Sequence, residues 1–295
     1  MKNIILFFIL AVFTFFMYSC EEVGPNINLN PPKIDTSLID TTYIAATSET
    51  PQTKMILIED FTGVRCPNCP TAAKKIEDLQ TQYPNRIIAC AIHFNNIFGI
   101  PHSGSKYDFR TASGLEIFNM LPGTHSQLPI GDVDRTLHTD GGGKLSVLQL
   151  YSTWPTFVDE QLSKNSVVNI DLSGGFIDTG STYKIKVKLH YTQAAISDTQ
   201  AISIYLIEDN IIDLQTLPTT AIDSHYVHKH VLRAVLTNNN GDDLKAGLVV
   251  NRVFEKDYKI ELNKKWVRSN CSIIAFVHKK GSTFDVINVR QKSLQ

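Results

Sequence analysis

The sequence is poor in the features that announce most chemistries. Five cysteines and two tryptophans in 295 residues exclude a disulfide-dense secreted scaffold. Charge of one sign is missing as well. Its 28 Lys and Arg against 29 Asp and Glu leave a net charge of -1, with no basic or acidic tail, so there is no electrostatic case for a nucleic-acid partner. No P-loop, dinucleotide fingerprint or serine-histidine-acid pattern occurs, and no cofactor is implied. Structural zinc needs a second close cysteine pair, which the chain does not have. A hydrophobic fraction of 43% and a charged fraction of 19% describe a globular chain with ample core, long enough for about two domains of ~100–200 residues.

The first apolar run, Ile4 to Met17 with only Thr14 interrupting it, is short for a spanning helix, which takes roughly 20 residues. With Lys2 before it and Ser19-Cys20 after it, it reads as a targeting segment over residues 1–20. A small residue before cysteine resembles a bacterial lipobox, which makes Cys20 the expected lipidation site and membrane anchor. Residues 21–52 are rich in Asn, Pro, Thr and Ser and read as a flexible tether. Glu21-Glu22 resembles a lipoprotein sorting signal, so the expected location is the outer membrane, facing the periplasm or the surface.

What the chain does have is Cys66-Pro67-Asn68-Cys69. Met55 to Ile58 before it read as a buried strand, and Ala72, Ala73, Ile76 and Leu79 after it recur at helical spacing. A helix start stabilises a thiolate, so Cys66 is the nucleophile candidate and Cys69 the resolving thiol. Arg65 would lower the Cys66 pKa further if it turned inward. Arg86 to Phe94 read as a second buried strand, Lys106 to Leu121 as partly helical, and Leu128 to Arg135 as a short strand begun by a proline. A helix is expected from near Thr153. Cys90 and Cys271 lie in apolar strand patterns and read as buried free thiols.

From about residue 165 the period changes to two. Tyr183, Ile185, Val187, Leu189 and Tyr191 alternate with lysines and His190. Further strands are expected at 167–172, 201–208, 226–236, 252–262, 271–278 and 284–290. About seven strands in 130 residues suggest an immunoglobulin-like sandwich.

Residues 53–164 resemble the thioredoxin fold, with a strand, an acidic residue, Phe, a short loop and Cys-x-x-Cys on a helix start. The resemblance implies a buried proton acceptor at Asp60, six residues before Cys66, and a cis proline at Pro129 beside the dithiol. The expected fold is therefore an α/β thioredoxin-like domain followed by an all-β sandwich over 165–295. The lipobox, the tether, the Phe-Thr-Gly loop before Cys-x-x-Cys-Pro, the Pro-x-Gly-x-Val-x-Arg strand from Pro129 and the His228-to-Arg233 segment resemble the twenty-eight-kilodalton outer-membrane protein family of Gram-negative bacteria. That resemblance implies surface receptor or adhesin roles and brings no defined chemistry.

Three uses of the dithiol stay open. One is thiol–disulfide exchange on envelope proteins through Cys66 and Cys69. Another is a structural Cys66–Cys69 bridge in a binding protein that contacts envelope or extracellular proteins through its β-rich half. The third is a copper carrier, with His93, His102, His125 and His138 as distant ligand candidates. His225, His228 and His230 form a further candidate cluster, and the Lys184, Lys186 and Lys188 row reads as a solvated strand face.

Overall fold

The computed structural model describes residues 34–35, 39–123, 127–177, 181–195 and 199–294. The expected targeting segment, Cys20 and most of the 21–38 stretch lie outside them, as does His125. In chain order the longer elements begin with β1 (Asp40–Ile44), β2 (Ile56–Thr62), α1 (Cys69–Gln82) and β3 (Ile87–His93). Next come α2 (Ala112–Met120), β4 (Ile130–Val133), α3 (Trp154–Leu162), β5 (Val168–Phe176), β6 (Thr182–Tyr191) and β7 (Gln200–Glu208). The chain closes with β8 (Ile211–Thr216), β9 (Ile222–His228), β10 (Val231–Val235), β11 (Arg252–Glu261), β12 (Cys271–Lys279) and β13 (Val286–Ser293).

Local sequence explains most of these. In α1 a proline sits in the first turn, where no backbone donor is lost, and Cys69, Ala72, Ile76 and Leu79 form its buried stripe. Thr111 caps α2 by accepting a hydrogen bond from the Gly114 amide at 2.9 Å. β2 is buried at every position, as expected of a strand covered on both faces.

The main sheet has eight strands in the order β13-β12-β7-β10-β3-β2-β4, with the two-residue piece Asp242–Asp243 beside β7. β2 and β3 run parallel from Ile56 opposite Ile87 to Thr62 opposite His93. A second sheet of five strands runs β11-β6-β5, with β1 and Ile34–Asp35 along the free side of β11. β8 and β9 make a two-stranded hairpin of their own.

On one face of the main sheet, α1 and α3 cover Ile56, Ile58, Ile87 and Ala89. The five-stranded sheet covers the same face further along, over Ile204, Leu206, Ile273 and Ala275. On the opposite face Leu57, Phe61, Cys90 and Ile92 pack with Ile117 and Phe118 of α2, and with Tyr205 and Phe276. Cys90 and Cys271 are both buried free thiols.

The expected α/β thioredoxin-like domain followed by an immunoglobulin-like sandwich is not what forms. The molecule is mostly β, with three α-helices among the described residues, and its main sheet mixes parallel and antiparallel pairs. The physical reason lies at the outer edge of β3, where an unpaired row of backbone groups would be left. β10 fills that edge in parallel, with Val231 opposite Ala91 and the Ala91 amide donating to the His230 carbonyl at 2.7 Å. Strands from both sides of residue 164 thus share one sheet.

Smaller differences follow. The stretch 226–236, expected as one strand, is broken at His230, whose φ is +57°, into β9 and β10. Composition placed residues up to 52 in a tether, yet β1 pairs with β11 from Ile44–Arg252 to Asp40–Lys256. The Gln52 amide also donates to the Asn169 side-chain oxygen at 2.8 Å.

Candidate functional site

β2 ends at Thr62 and the chain turns through Gly63 to Asn68 before α1 begins. Two backbone bonds shape the turn, from the Cys66 amide to the Gly63 carbonyl at 3.0 Å and from the Cys69 amide to the Cys66 carbonyl at 3.3 Å. Cys66 and Cys69 are joined as a disulfide with their Cα atoms 5.4 Å apart. Neither cysteine reaches solvent, with exposures of 1% and 2%. Gly63 permits a close approach, because a Cβ there would lie 2.6 Å from the Phe98 carbonyl carbon.

The remaining expected site residues fall around this turn in different ways. Asp60 lies on β2 opposite Gly131 of β4. It is buried, its Oδ1 has no hydrogen-bond partner, and burial pushes its carboxyl up to about 8. A cavity of about 30 Å³ beside it, lined by Ile76, Ala91, Tyr226 and His230 among others, has room for water. Pro129 precedes Gly131 by two residues, and its peptide bond with Leu128 is cis. Arg65 is exposed and turned aside, its guanidinium donating to the Pro101 carbonyl at 2.6 Å.

Residues that sequence reasoning did not single out, joined by the ligand candidate His102, close over the cysteine turn. The hairpin β8–β9 sits against it, and the side-chain amide of Gln215 donates to the carbonyls of Cys66 at 3.1 Å and Gly63 at 3.3 Å. The Thr216 amide donates to the Val64 carbonyl at 2.8 Å. His102 lies 3.0 Å from that carbonyl and 3.1 Å from the Thr216 hydroxyl. The Asp213 carboxylate accepts from the amides of Lys106, Tyr107 and Leu214. Sequence reasoning reached the end of β9 through the expected strand 226–236 and missed β8, whose inward Asp213 and Gln215 are polar and disguise its alternation.

At the base of the hairpin the rings of His93 and His228 lie 6.2 Å apart, with Phe109 4.7 Å from His228. Burial pulls His228 down to about 4, and burial with the neighbouring His228 and Arg233 holds His93 well below its ordinary value. Among the described residues no group of three or more His, Cys, Asp or Glu side chains is placed to hold a metal. His225 is exposed on the outer part of β9, away from this seam.

The model of the outer membrane protein Omp28 family matches residues 128–295, more than half of the chain. No curated protein matches it. Among solved structures, HBP35 of Porphyromonas gingivalis is 18% identical over 82% of this chain and 76% of its own, with a TM-score of 0.62; that likeness concerns the fold. A domain of the outer membrane lipoprotein Omp28 from the same organism is 23% identical over 44% of this chain and 89% of its own, with a TM-score of 0.31. The chain belongs to the Omp28 family of outer-membrane proteins, and the outer membrane is its place in the cell.

Proposed function

We propose that the chain is a non-enzymatic binding protein of the outer membrane, with Cys66–Cys69 as a structural bridge. The observation that carries this reading is the burial of both cysteines under a polar clasp, since thiol exchange requires in-line access to a sulfur. Apolar side chains stand exposed around the bridge, with Ile97 at 72%, Ile222 at 53% and Ile212 at 47%. They form the contact surface for an envelope or extracellular protein. Lipid on Cys20 holds the chain at the membrane.

The test has two arms on the full chain in detergent. Insulin reduction in the presence of a dithiol proceeds at the uncatalysed rate. Partner capture survives Cys66→Ser with Cys69→Ser and falls at least tenfold in Ile97→Ser with Ile222→Ser. Catalysed insulin reduction, or capture that follows the cysteines instead of the isoleucines, overturns the reading. Fatty-acid labelling lost in Cys20→Ala tests the anchor.

A second reading, thiol–disulfide exchange on envelope proteins, draws on one specific feature. Asp60 is a buried carboxyl with a free oxygen and a raised pKa, the type of group that takes and returns a thiol proton. Dithiol-dependent insulin reduction that is lost in Cys66→Ser is its signature.

A further inference from the structure

The hairpin β8–β9 has the construction of a moving part. It is inserted between β7 and β10, neighbours in the main sheet, yet its own two strands join neither of the larger sheets. Both of its ends carry a non-glycine residue in the left-handed region, Asn210 with φ +59° and His230 with φ +57°. Asp209 ties these two ends together, its Oδ1 accepting from the His230 amide at 2.7 Å and lying 3.0 Å from the His230 ring nitrogen. A neck of two residues in sparsely populated backbone states, at the termini of ladder strands, is where a hinge concentrates its dihedral change.

Beyond the neck the hairpin is held by separable contacts, beginning with the buried ring of His228 against Phe109 at 4.7 Å. Ile211 packs with Val64, Phe109 and Val231. The Asp213 carboxylate holds the 106–107 backbone, and Gln215 and Thr216 hold the carbonyls of the cysteine turn. The outer face of the hairpin carries exposed Ile212, Ile222 and Val227, so a partner docked there gains a lever on those contacts. Locally hydrogen-bonded segments with little ladder support are the ones that open without global unfolding.

We propose that residues 211–228 form a hinged lid over the Cys66–Cys69 bridge, turning about Asn210 and His230 and latched by Gln215 and Asp213. The lid sets the rate at which any external thiol reaches the bridge. This goes beyond the binding reading, because it concerns access to the sulfurs and not catalysis by them.

The test uses single-turnover reduction of the oxidised full chain by dithiothreitol. A dithiothreitol thiolate attacks the Cys66 sulfur and the S–S bond breaks, releasing Cys69 as a thiolate that takes a proton from water. The reagent's second thiolate then displaces the Cys66 sulfur, so the bridge gains two electrons and the reagent leaves as its cyclic disulfide. Gln215→Leu keeps the size of the side chain and removes the latch donor; Asp213→Asn weakens the second latch. Each is expected to accelerate reduction at least tenfold. Amide hydrogen exchange is expected to rise in 211–228 and to stay at wild-type levels in β12, which shows that the sheet is intact. Reduction at the wild-type rate in both variants, with 211–228 exchanging faster, overturns the lid as a gate. If 211–228 exchanges only together with β12 in wild type and variants, the lid itself is overturned. Catalysed insulin reduction would instead count against the binding reading and leave the lid standing.

Discussion

Arg135 and Glu59 form a fully buried, two-point ion pair, with Nε to Oε2 at 2.6 Å and the second guanidinium nitrogen to Oε1 at 2.8 Å. The same nitrogen donates to the Tyr205 hydroxyl at 2.8 Å, so one guanidinium ties β2, the end of β4 and β7. Removing one charge strands the other where it cannot be solvated. Arg135→Met is expected to cost roughly 3–5 kcal/mol, and most of it returns when Glu59→Leu is added. Urea denaturation of the single and double variants measures both.

The Asp60 carboxyl gives a signed pH effect. Its folded value of about 8 lies above the ordinary 3.8, so its contribution to stability is fully present below pH 3.8 and is lost as pH rises towards 8. Asp60→Asn does not titrate. The variant therefore gains on wild type between pH 4 and 8, by more than about 1.4 kcal/mol at the upper end, read as the difference in urea midpoints across that range.

The opposite sign belongs to His228. Burial depresses it from 6.5 to about 4, so the unfolded chain takes up a proton that the folded chain refuses over that window. Its contribution is present above pH 6.5 and lost as pH falls through 4. Arg233, His93 and Asp213 face it and stay in place in His228→Phe. That variant is expected to show a shallower fall in Tm from pH 6.5 to 4.

Gly131 fills a position that admits no side chain. A Cβ there would overlap the Glu59 carbonyl and lie 2.6 Å from a ring carbon of Trp154, between the strand that carries Asp60 and α3. Gly131→Ala is expected to destabilise by roughly 1–3 kcal/mol, seen as a lower urea midpoint with the Cys66–Cys69 bridge still formed.

The bridge itself closes a very short loop. Replacing both cysteines by serine is expected to cost about 2 kcal/mol by the loop-entropy relation, checked by the same denaturation series. A loss several times larger would mean that the bridge also sets the geometry for Gln215.

Much of this was legible locally. The spacing of Ala72, Ile76 and Leu79 marked α1, and the helix expected from near Thr153 begins one residue later, at Trp154. The apolar setting of Cys90 and Cys271 foretold two buried thiols. The overall fold was not legible, because periodicity says which face of a strand is buried and not which neighbour it pairs with. Nothing in Val231 to Val235 announces that it lies beside β3, some 140 residues earlier. β8 escaped for a different reason. Its inward positions are Ile211, Asp213 and Gln215, and two of those three are polar because they serve the backbone of other segments. The pairing of Glu59 with Arg135 was not legible either, because nothing in the residues around them says that these two charges meet inside the protein.

The parallel seam between β10 and β3 also sets an order of events. Of the main-sheet strands, β2 and β3 leave the export machinery first and expose an open edge until residue 231 arrives, and β7, β12 and β13 extend the sheet only from there. During export the chain thus carries a hydrophobic, adhesive margin that it cannot cover by itself until most of it has been delivered. Quality control in the envelope has its longest opportunity at that margin, and truncations short of β10 should be found as protease fragments or aggregates rather than as smaller folded proteins.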